Sequence, residues 1–378
     1  MKELKIAMIG SGIMCKYHSH AFKIVDHFFD VNIKTNLQLM ISRFESREEI
    51  SKKYGFKNFS TNIEDAFSDE IDIVDIVTPN HLHIDLVIEA VRRKKMVICE
   101  KPLAMNYKEA LKAIKEIEKY GVAPLFHCIN FNYRKATPIA LIKKIINDGE
   151  IGKIYTFKID FLDDSVSKKE VPMDWRLEKK YSGGGASYDL NVHSIDLAHY
   201  LIGEIEDVIA VEKTFIESRK SEDLKSTALV DTDDYCACIA NFRNGAVGIF
   251  DSSRISTGDK LQNTLEIRGS KGAVKWDYQK FNLIEFYSVE NCSDRNGFRK
   301  IYATENTHPY MNGYYGMPGH GNHYNSMMVH MVYDFLKAIE QGKTPSPNLY
   351  DGLKAQRVLE AVKISNDKKK WVKILDVI

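Results

Sequence analysis

Lys101 follows Glu100 and precedes Pro102 at what reads as the end of a strand. In a parallel sheet flanked by helices, ligands bind outside the carboxyl ends of the strands. This lysine is therefore aimed at a crevice, although a solvated surface is the ordinary fate of a lysine. A second group lies in Asp189-Leu190-Asn191-Val192-His193. On an α-helix Asp189 and His193 stand at i and i+4 and share a face. A carboxylate beside an imidazole fixes its tautomer and stabilises its protonated form. A general base acting on an alcohol needs that arrangement. The same pair could equally brace a buried helix end. A metal set of Asp189, His193, His320 and His323 is the weaker reading, because the residues are far apart and Gly319-His320-Gly321 reads as a loop. No metal is expected.

Gly10-Ser11-Gly12-Ile13-Met14-Cys15 closes the first strand-like segment and opens a helix. There the first glycine permits a tight turn and the second lets the backbone approach a pyrophosphate. The helix N-terminus presents oriented N–H groups. The pattern implies dinucleotide binding at Gly10, Gly12, Ile13 and Met14; a tight turn without ligand is the alternative. Cys15 stands where a third glycine would pack helix on strand, and a small thiol also suits that place. An acidic residue ending the second strand would bind the ribose hydroxyls of NAD. That place holds Ser42-Arg43. Ser42 and Arg43 could grip the 2′-phosphate of NADP, or Arg43 could stack on adenine of either cofactor. NAD and NADP both stay open. The long interval from Gly12 to Ser42 fits an insertion around Asp26 to Thr35.

The elements that must position these residues alternate strand and helix in the first third. Strands are expected at Leu4 to Ile9, Leu37 to Ser42, Ile71 to Thr78, Met96 to Glu100 and Val122 to Phe126. Helices fall between them, one opened by a capping box at Ser46-Arg47-Glu48-Glu49 and closed by Gly55. Another is capped by Asn106 with Glu109 and ended by Gly121. Alternation of this kind implies a doubly wound parallel sheet. Beyond it, short strands from Ile154–Phe161 to Phe281–Val289 are joined by turns such as Arg243-Asn244-Gly245, and helical periodicity returns from about Asn325. The fold class is α/β: a Rossmann domain over 1–128, then an α+β domain over 129–378 with an open, mostly antiparallel sheet.

The 378 residues exceed one ordinary core, which fits two domains. A formal net charge of +1 gives no reason to expect nucleic acid or an anionic membrane as partner. No apolar run is long enough to span a bilayer. Met1-Lys2-Glu3 runs straight into a strand, so no secretory leader is expected. Six scattered cysteines without a CxxC pair read as free thiols of a reducing cytoplasm, with Cys236 and Cys238 on one strand face.

Taken together, these segments resemble the glucose–fructose oxidoreductase, inositol dehydrogenase and rhizopine catabolism (Gfo/Idh/MocA) family over nearly the whole chain. The resemblance rests on the Gly10–Cys15 loop with His18 and Ala21, Thr78-Pro79-Asn80-His81 with His83, and Glu100-Lys101-Pro102. It continues in Asn130-Phe131-Asn132-Tyr133-Arg134, Trp175-Arg176, Gly183-Gly184-Gly185, Asp189 with His193 and Asp196, and Asp351-Gly352. Gly297-Phe298-Arg299 and His308-Pro309-Tyr310 are similar to its levoglucosan dehydrogenase-like branch. The resemblance implies that Lys101 hydrogen-bonds the reacting hydroxyl, that His193 takes its proton and that Asp189 orients His193. It implies cofactor contacts from Thr78, Asn80, His83, Glu100, Lys101, Asn130, Trp175 and Arg176. Tyr133 and His320 would join Lys101, Asp189 and His193 around the substrate. Three departures stand out: Cys15, Asn191 where the family often has glycine, and Asn322-His323-Tyr324, which bears on the substrate pocket.

The expected function is hydride transfer between a nicotinamide cofactor and one carbinol carbon of a sugar, anhydrosugar or inositol. The alternatives are a glycosidase that uses NAD transiently and a non-catalytic dinucleotide-binding regulator. Lys101, Asp189 and His193 together argue against the regulator. The apolar alternation of Tyr235–Phe242 and Ala246–Ser252 leaves a sheet face for another subunit, as expected of a homodimer or homotetramer.

Overall fold

The computed structural model describes residues 2–120, 126–221, 223, 225–291, 294, 296–313 and 317–378, and all structural statements concern these. The first sheet comprises β1 (Lys2–Ile9), β2 (Ile33–Ile41), β3 (Asn58–Ser60), β4 (Ile73–Ile76), β5 (Met96–Cys99) and β6 (His127–Ile129). The order is β3-β2-β1-β4-β5-β6 and every neighbouring pair is parallel. Helices α1 (Ile13–Phe28), α2 (Glu48–Tyr54), α3 (His83–Arg92) and α4 (Tyr107–Glu118) provide the crossovers. Helices cover both faces of such a sheet, so its strands read as continuous apolar runs. β4 obeys this at Ile73, Val74 and Ile76, all buried; the exception is Asp75, equally buried. The strand order reverses between β1 and β4, which opens a crevice at their carboxyl ends.

Some local expectations change. The strand expected from Val122 starts outside the described residues, as does the helix stop at Gly121, and β6 begins at His127. The capping box at Ser46 does not form: a 3₁₀ turn over Glu45–Arg47 leads into α2, and neither end receives a side-chain cap. Gly55 does close α2, with φ +88°. Asn106 Oδ1 accepts the Glu109 N–H at 2.9 Å.

The second unit opens with α5 (Thr137–Asn147), β7 (Ile154–Leu162), α6 (Lys179–Ser182) and α7 (Val192–Leu201). Strands β8 (Ile205–Lys213), β9 (Ser218–Lys220), β10 (Thr227–Leu229), β11 (Tyr235–Phe242), β12 (Val247–Ser253), β13 (Gln262–Gly269), β14 (Gly272–Asp277), β15 (Leu283–Ser288) and β16 (Arg299–Tyr302) follow. The chain ends with α8 (Tyr324–Gln341), α9 (Leu349–Lys368) and β17 (Val372–Lys373). Apart from the β9–β10 ribbon these strands make one open sheet, β16-β15-β14-β13-β7-β12-β11-β8-β17. Its pairs are antiparallel except β7 with β12. The division expected after residue 128 falls inside β6. Helix α8 returns to the first unit, where Met328, Val329 and Val332 share a core with Leu4, Phe22 and Val25.

Candidate active site

Gly10 has φ +122°, and a Cβ there would stand 2.6 Å from the carbonyl oxygen of Val77, so β1 and β4 can approach only over a glycine. A Cβ at Gly12 would meet nothing within 4 Å, so this glycine leaves open space instead. Gly12 also caps α1 without a side-chain bond, which leaves first-turn N–H groups at the cleft. Cys15 is buried against β2 with Sγ 3.6 Å from Met40 Sδ, and a thiol fills the place of the third glycine. The cleft, about 1580 Å³, is lined here by Gly10, Ser11, Gly12, Ile13, Met14, Ser42, Arg43 and Thr78. Two buried atoms, Thr78 Oγ1 and Asn130 Oδ1, have no hydrogen-bond partner among the described residues. Open space, uncapped N–H groups and orphaned acceptors fit a dinucleotide diphosphate and its ribose.

The end of β2 carries no carboxylate. Ser42 Oγ lies 2.9 Å from Ser11 Oγ and accepts the Phe44 N–H at 3.3 Å, so it braces the turn. Arg43 lies with its guanidinium 4.5 Å from the Phe44 ring centroid. One of its two planar faces is thus engaged with Phe44.

Lys101 lies two residues beyond the end of β5 and enters a cis peptide bond with Pro102. Its Nζ donates to Asp189 Oδ1 at 2.8 Å and to the Asp189 carbonyl at 2.8 Å. The expected Asp189–His193 hydrogen bond is absent, which corrects the sequence reading. The reason is local: Ser187–Asn191 form one turn of π-helix before α7, and the wider turn takes Asp189 off the i, i+4 line. Asp233 starts that turn by accepting the N–H groups of Gly185 and Ser187, both at 2.7 Å. Gly185 is obligatory there, since a Cβ would lie 1.7 Å from the Asp233 carbonyl oxygen.

His193 is oriented by rings instead. Tyr133 packs edge-on at 4.9 Å between centroids, with Phe161 at 6.0 Å and Phe131 at 6.2 Å. Nδ1 is buried without a partner, which leaves Nε2 to serve the cleft that His193 lines. Burial, helped by the Lys101 charge and opposed by Asp189, holds the His193 imidazole well below its ordinary range. Burial alone would raise Asp189, but Lys101, Arg176 and Arg254 hold its carboxyl well below the usual range. The site therefore presents a neutral imidazole beside a lysine–aspartate ion pair.

The remaining expected residues divide. Glu100, Asn80, Asn130, Tyr133, Trp175 and Arg176 line the same cleft. Asn80 Nδ2 also donates to the Ser182 carbonyl at 2.8 Å, tying the two units. Arg176 stacks on Trp175, its guanidinium 4.4 Å from the ring centroid. His83 does not reach the cleft. It is fully buried, with Nδ1 2.8 Å from the Pro102 carbonyl and Nε2 2.9 Å from the Thr78 carbonyl, so it braces the two strand ends that do. His320 is exposed and outside the lining; His323 and Tyr324, at the start of α8, line it instead. With His320 outside, the four-residue metal set is not assembled. Sequence reasoning missed Tyr17, Asp163, Arg254 and Tyr278 in the lining. Asp163 and Arg254 directly follow β7 and β12, the parallel pair, so they emerge on one edge. No local pattern could announce that.

Other motif residues form the frame. Arg134 is buried and bidentate to Asp196, at 2.8 and 2.5 Å, with Asp351 at 3.2 Å. This network joins the segment after β6 to α7 and α9. Asn191 turns its amide toward Cys236 Sγ at 3.6 Å and Cys238 Sγ at 4.0 Å, so the departure from glycine and the Cys-Ala-Cys pattern are one packing feature.

Two family models match the chain: "Oxidoreductase family, NAD-binding Rossmann fold" over residues 4–126 and "GFO/IDH/MocA C-terminal domain" over 139–275. The levoglucosan dehydrogenase of Pseudarthrobacter phenanthrenivorans is 33% identical, covering 99% of each chain. The myo-inositol 2-dehydrogenase of Thermotoga maritima is 26% identical over 99% of this chain and 100% of its own. A solved levoglucosan dehydrogenase in complex with NADH and L-sorbose superposes with a TM-score of 0.95 at 33% identity, over 99% of both chains. The glycine loop, the strand-end lysine and the whole-length match agree, and the chain belongs to the Gfo/Idh/MocA oxidoreductases, with an NAD-binding Rossmann domain.

Proposed function

We propose that this enzyme oxidises one secondary alcohol of a sugar, with anhydrosugars of the levoglucosan type the first candidates and inositols the second. One observation carries the reading. Lys101 Nζ, the Asp189 carboxylate and the His193 ring stand together on the cleft that the glycine loop opens. The relatives named levoglucosan dehydrogenase and myo-inositol 2-dehydrogenase support the substrate class.

Bound NAD supplies the carbon that accepts hydride. The chain supplies the rest. Lys101 donates to the reacting hydroxyl and carries the opposite charge to the oxygen as it loses its proton. His193, kept neutral, accepts that proton at Nε2. Asp189 holds the lysine ammonium in place rather than the imidazole. Phe131, Tyr133 and Phe161 keep the ring from turning. Asp163 and Arg254 add polar groups suited to a polyhydroxylated ring. A screen of anhydrosugars, inositols and aldoses, each with NAD and NADP, tests this. Reduction of NAD by at least one of the first two classes is expected; hydrolysis without net reduction would favour a glycosidase, and no reaction would favour a regulator.

Arg43 serves adenine stacking in this reading. Arg43→Ala is expected to raise KM for NAD about five-fold, for roughly 1 kcal/mol of stacking, with kcat unchanged. A loss seen only with NADP would mark a 2′-phosphate grip instead.

The outer face of the large sheet exposes Val211 (53%), Ile239 (43%) and Ile249 (46%), with Ile239 paired to Ile249 across the β11–β12 ladder. Such a face supports a homodimer or homotetramer, which sedimentation velocity would read directly. Five described cysteines are free and no described helix is long and apolar enough to cross a membrane. The thiols favour a reducing cytoplasm.

A further inference from the structure

Beneath the cleft lies a charged cluster for which the catalytic reading has no use. His18 on α1 is buried at 1% exposure, and Asp75 of β4 at 0%. His18 Nδ1 lies 2.9 Å from Asp75 Oδ2, and Nε2 lies 3.0 Å from Glu100 Oε1. Each ring nitrogen thus faces a carboxylate oxygen. A neutral imidazole has one N–H and would turn a lone pair on one carboxylate; only the imidazolium has two donors. Asn130 Nδ2 also donates to Glu100 Oε1. It also lies 2.9 Å from His18 Nε2, a contact that a neutral ring protonated at Nδ1 would accept, so that tautomer is the competing arrangement and nitrogen NMR separates the two. Glu100 lines the cleft beside Lys101, and its second oxygen has no hydrogen-bond partner among the described residues.

We infer that His18 is a positioning residue for the dinucleotide: a buried imidazolium that donates to Asp75 and to Glu100, and so holds the Glu100 carboxylate ionised and aimed into the cleft. The inference rests on NAD binding and is independent of which hydroxyl is oxidised. Electrostatics support the charged ring and the Glu100 anion, whereas burial, only partly offset by His18, raises the Asp75 carboxyl above its ordinary range. Burial opposes the charged ring, but Asp75 and then Glu100 outweigh it and raise His18 to about 10. Burial also opposes the Glu100 anion, yet His18, Asn130 and Lys101 hold it below the usual carboxylate range.

The other groups packed around the cluster do not supply the missing cation. Cys15 on α1 and Cys128 on β6 are pushed up to about 12 by burial, and Cys99 on β5 is pushed well above its ordinary value. Burial also raises Tyr324 of α8 and lowers His83 of α3, so the phenol and that imidazole are uncharged near neutral pH. Lys101, the next residue along the chain from Glu100, is committed to Asp189.

A double-mutant cycle in NAD affinity, measured by calorimetric titration of the purified enzyme at neutral pH, tests the proposal. A charge-assisted hydrogen bond is worth roughly ten-fold or more in affinity. Glu100→Gln is expected to weaken NAD about ten-fold and His18→Gln to weaken it about five- to ten-fold. The double variant should bind no worse than Glu100→Gln alone, because His18 acts only through Glu100. Additive losses, or wild-type affinity in His18→Gln, would overturn it. A wild-type enzyme that does not bind NAD would sink the cofactor reading and this proposal together, whereas an additive cycle sinks this proposal alone. Should His18→Gln not fold, nitrogen NMR of the wild-type ring decides. Both His18 nitrogens should remain protonated above pH 8, well beyond the ordinary imidazole range of about 6.5. A singly protonated ring near neutral pH would refute the imidazolium.

Discussion

Lys101→Ala lowers kcat/KM by about three orders of magnitude or more while NAD affinity stays within about three-fold of wild type. Removing one preorganised donor from a developing oxyanion costs on the order of 10²–10³ in rate. Here the same substitution also strips Asp189 of the ammonium bonded to both its carboxylate and its carbonyl. Asp189 would still face Arg176 and Arg254, so the carboxylate is free to pair elsewhere and the site is disorganised as well as weakened. Steady-state kinetics and cofactor titration on one preparation check both halves. Turnover near wild type would remove Lys101 from the chemistry.

His193→Asn is expected to lower kcat by about 10²–10⁴, the usual worth of a positioned general base. The wild-type pH profile gives a second reading. The folded His193 pKa lies well below the ordinary value, from burial first and the Lys101 charge second. A base works in its neutral form, so activity should persist as pH falls through about 6.5, the unperturbed imidazole value, and fail only below it. The residual activity of Lys101→Ala should lose some of that protection, its acidic limb moving upward because the repelling cation is gone. An acidic limb at or above the ordinary imidazole value in the wild-type enzyme would contradict this assignment.

Legibility in the sequence followed locality. The glycine loop, the strand-end lysine and the parallel alternation of the first unit depend on neighbours within one βα unit, and each appears where expected. Pairing of Asp189 with His193 was inferred from regular helical spacing, and a single π-helical turn redirected the carboxylate to Lys101. His83, at the start of α3, and His320, in a loop, illustrate the same limit. A ring that lies near a cleft in sequence can point at two carbonyls beneath it, and a glycine-flanked histidine can lie outside while His323 lies within. Asp163, Arg254 and Tyr278 had no local signature, because strand order in the second sheet brings them together. His18 was visible as a motif residue, but its two carboxylate partners come from β4 and from the end of β5, far along the chain.

The proposed reaction is direct hydride transfer from a carbinol carbon to the nicotinamide. The most direct test supplies the enzyme with NAD and a carbon-deuterated form of the sugar that it oxidises, then locates the label by mass spectrometry. Direct transfer places one deuterium on the nicotinamide ring of each reduced cofactor, matched one-to-one by oxidised sugar. Sugar consumed by hydrolysis, with no labelled and no accumulated reduced cofactor, would contradict it.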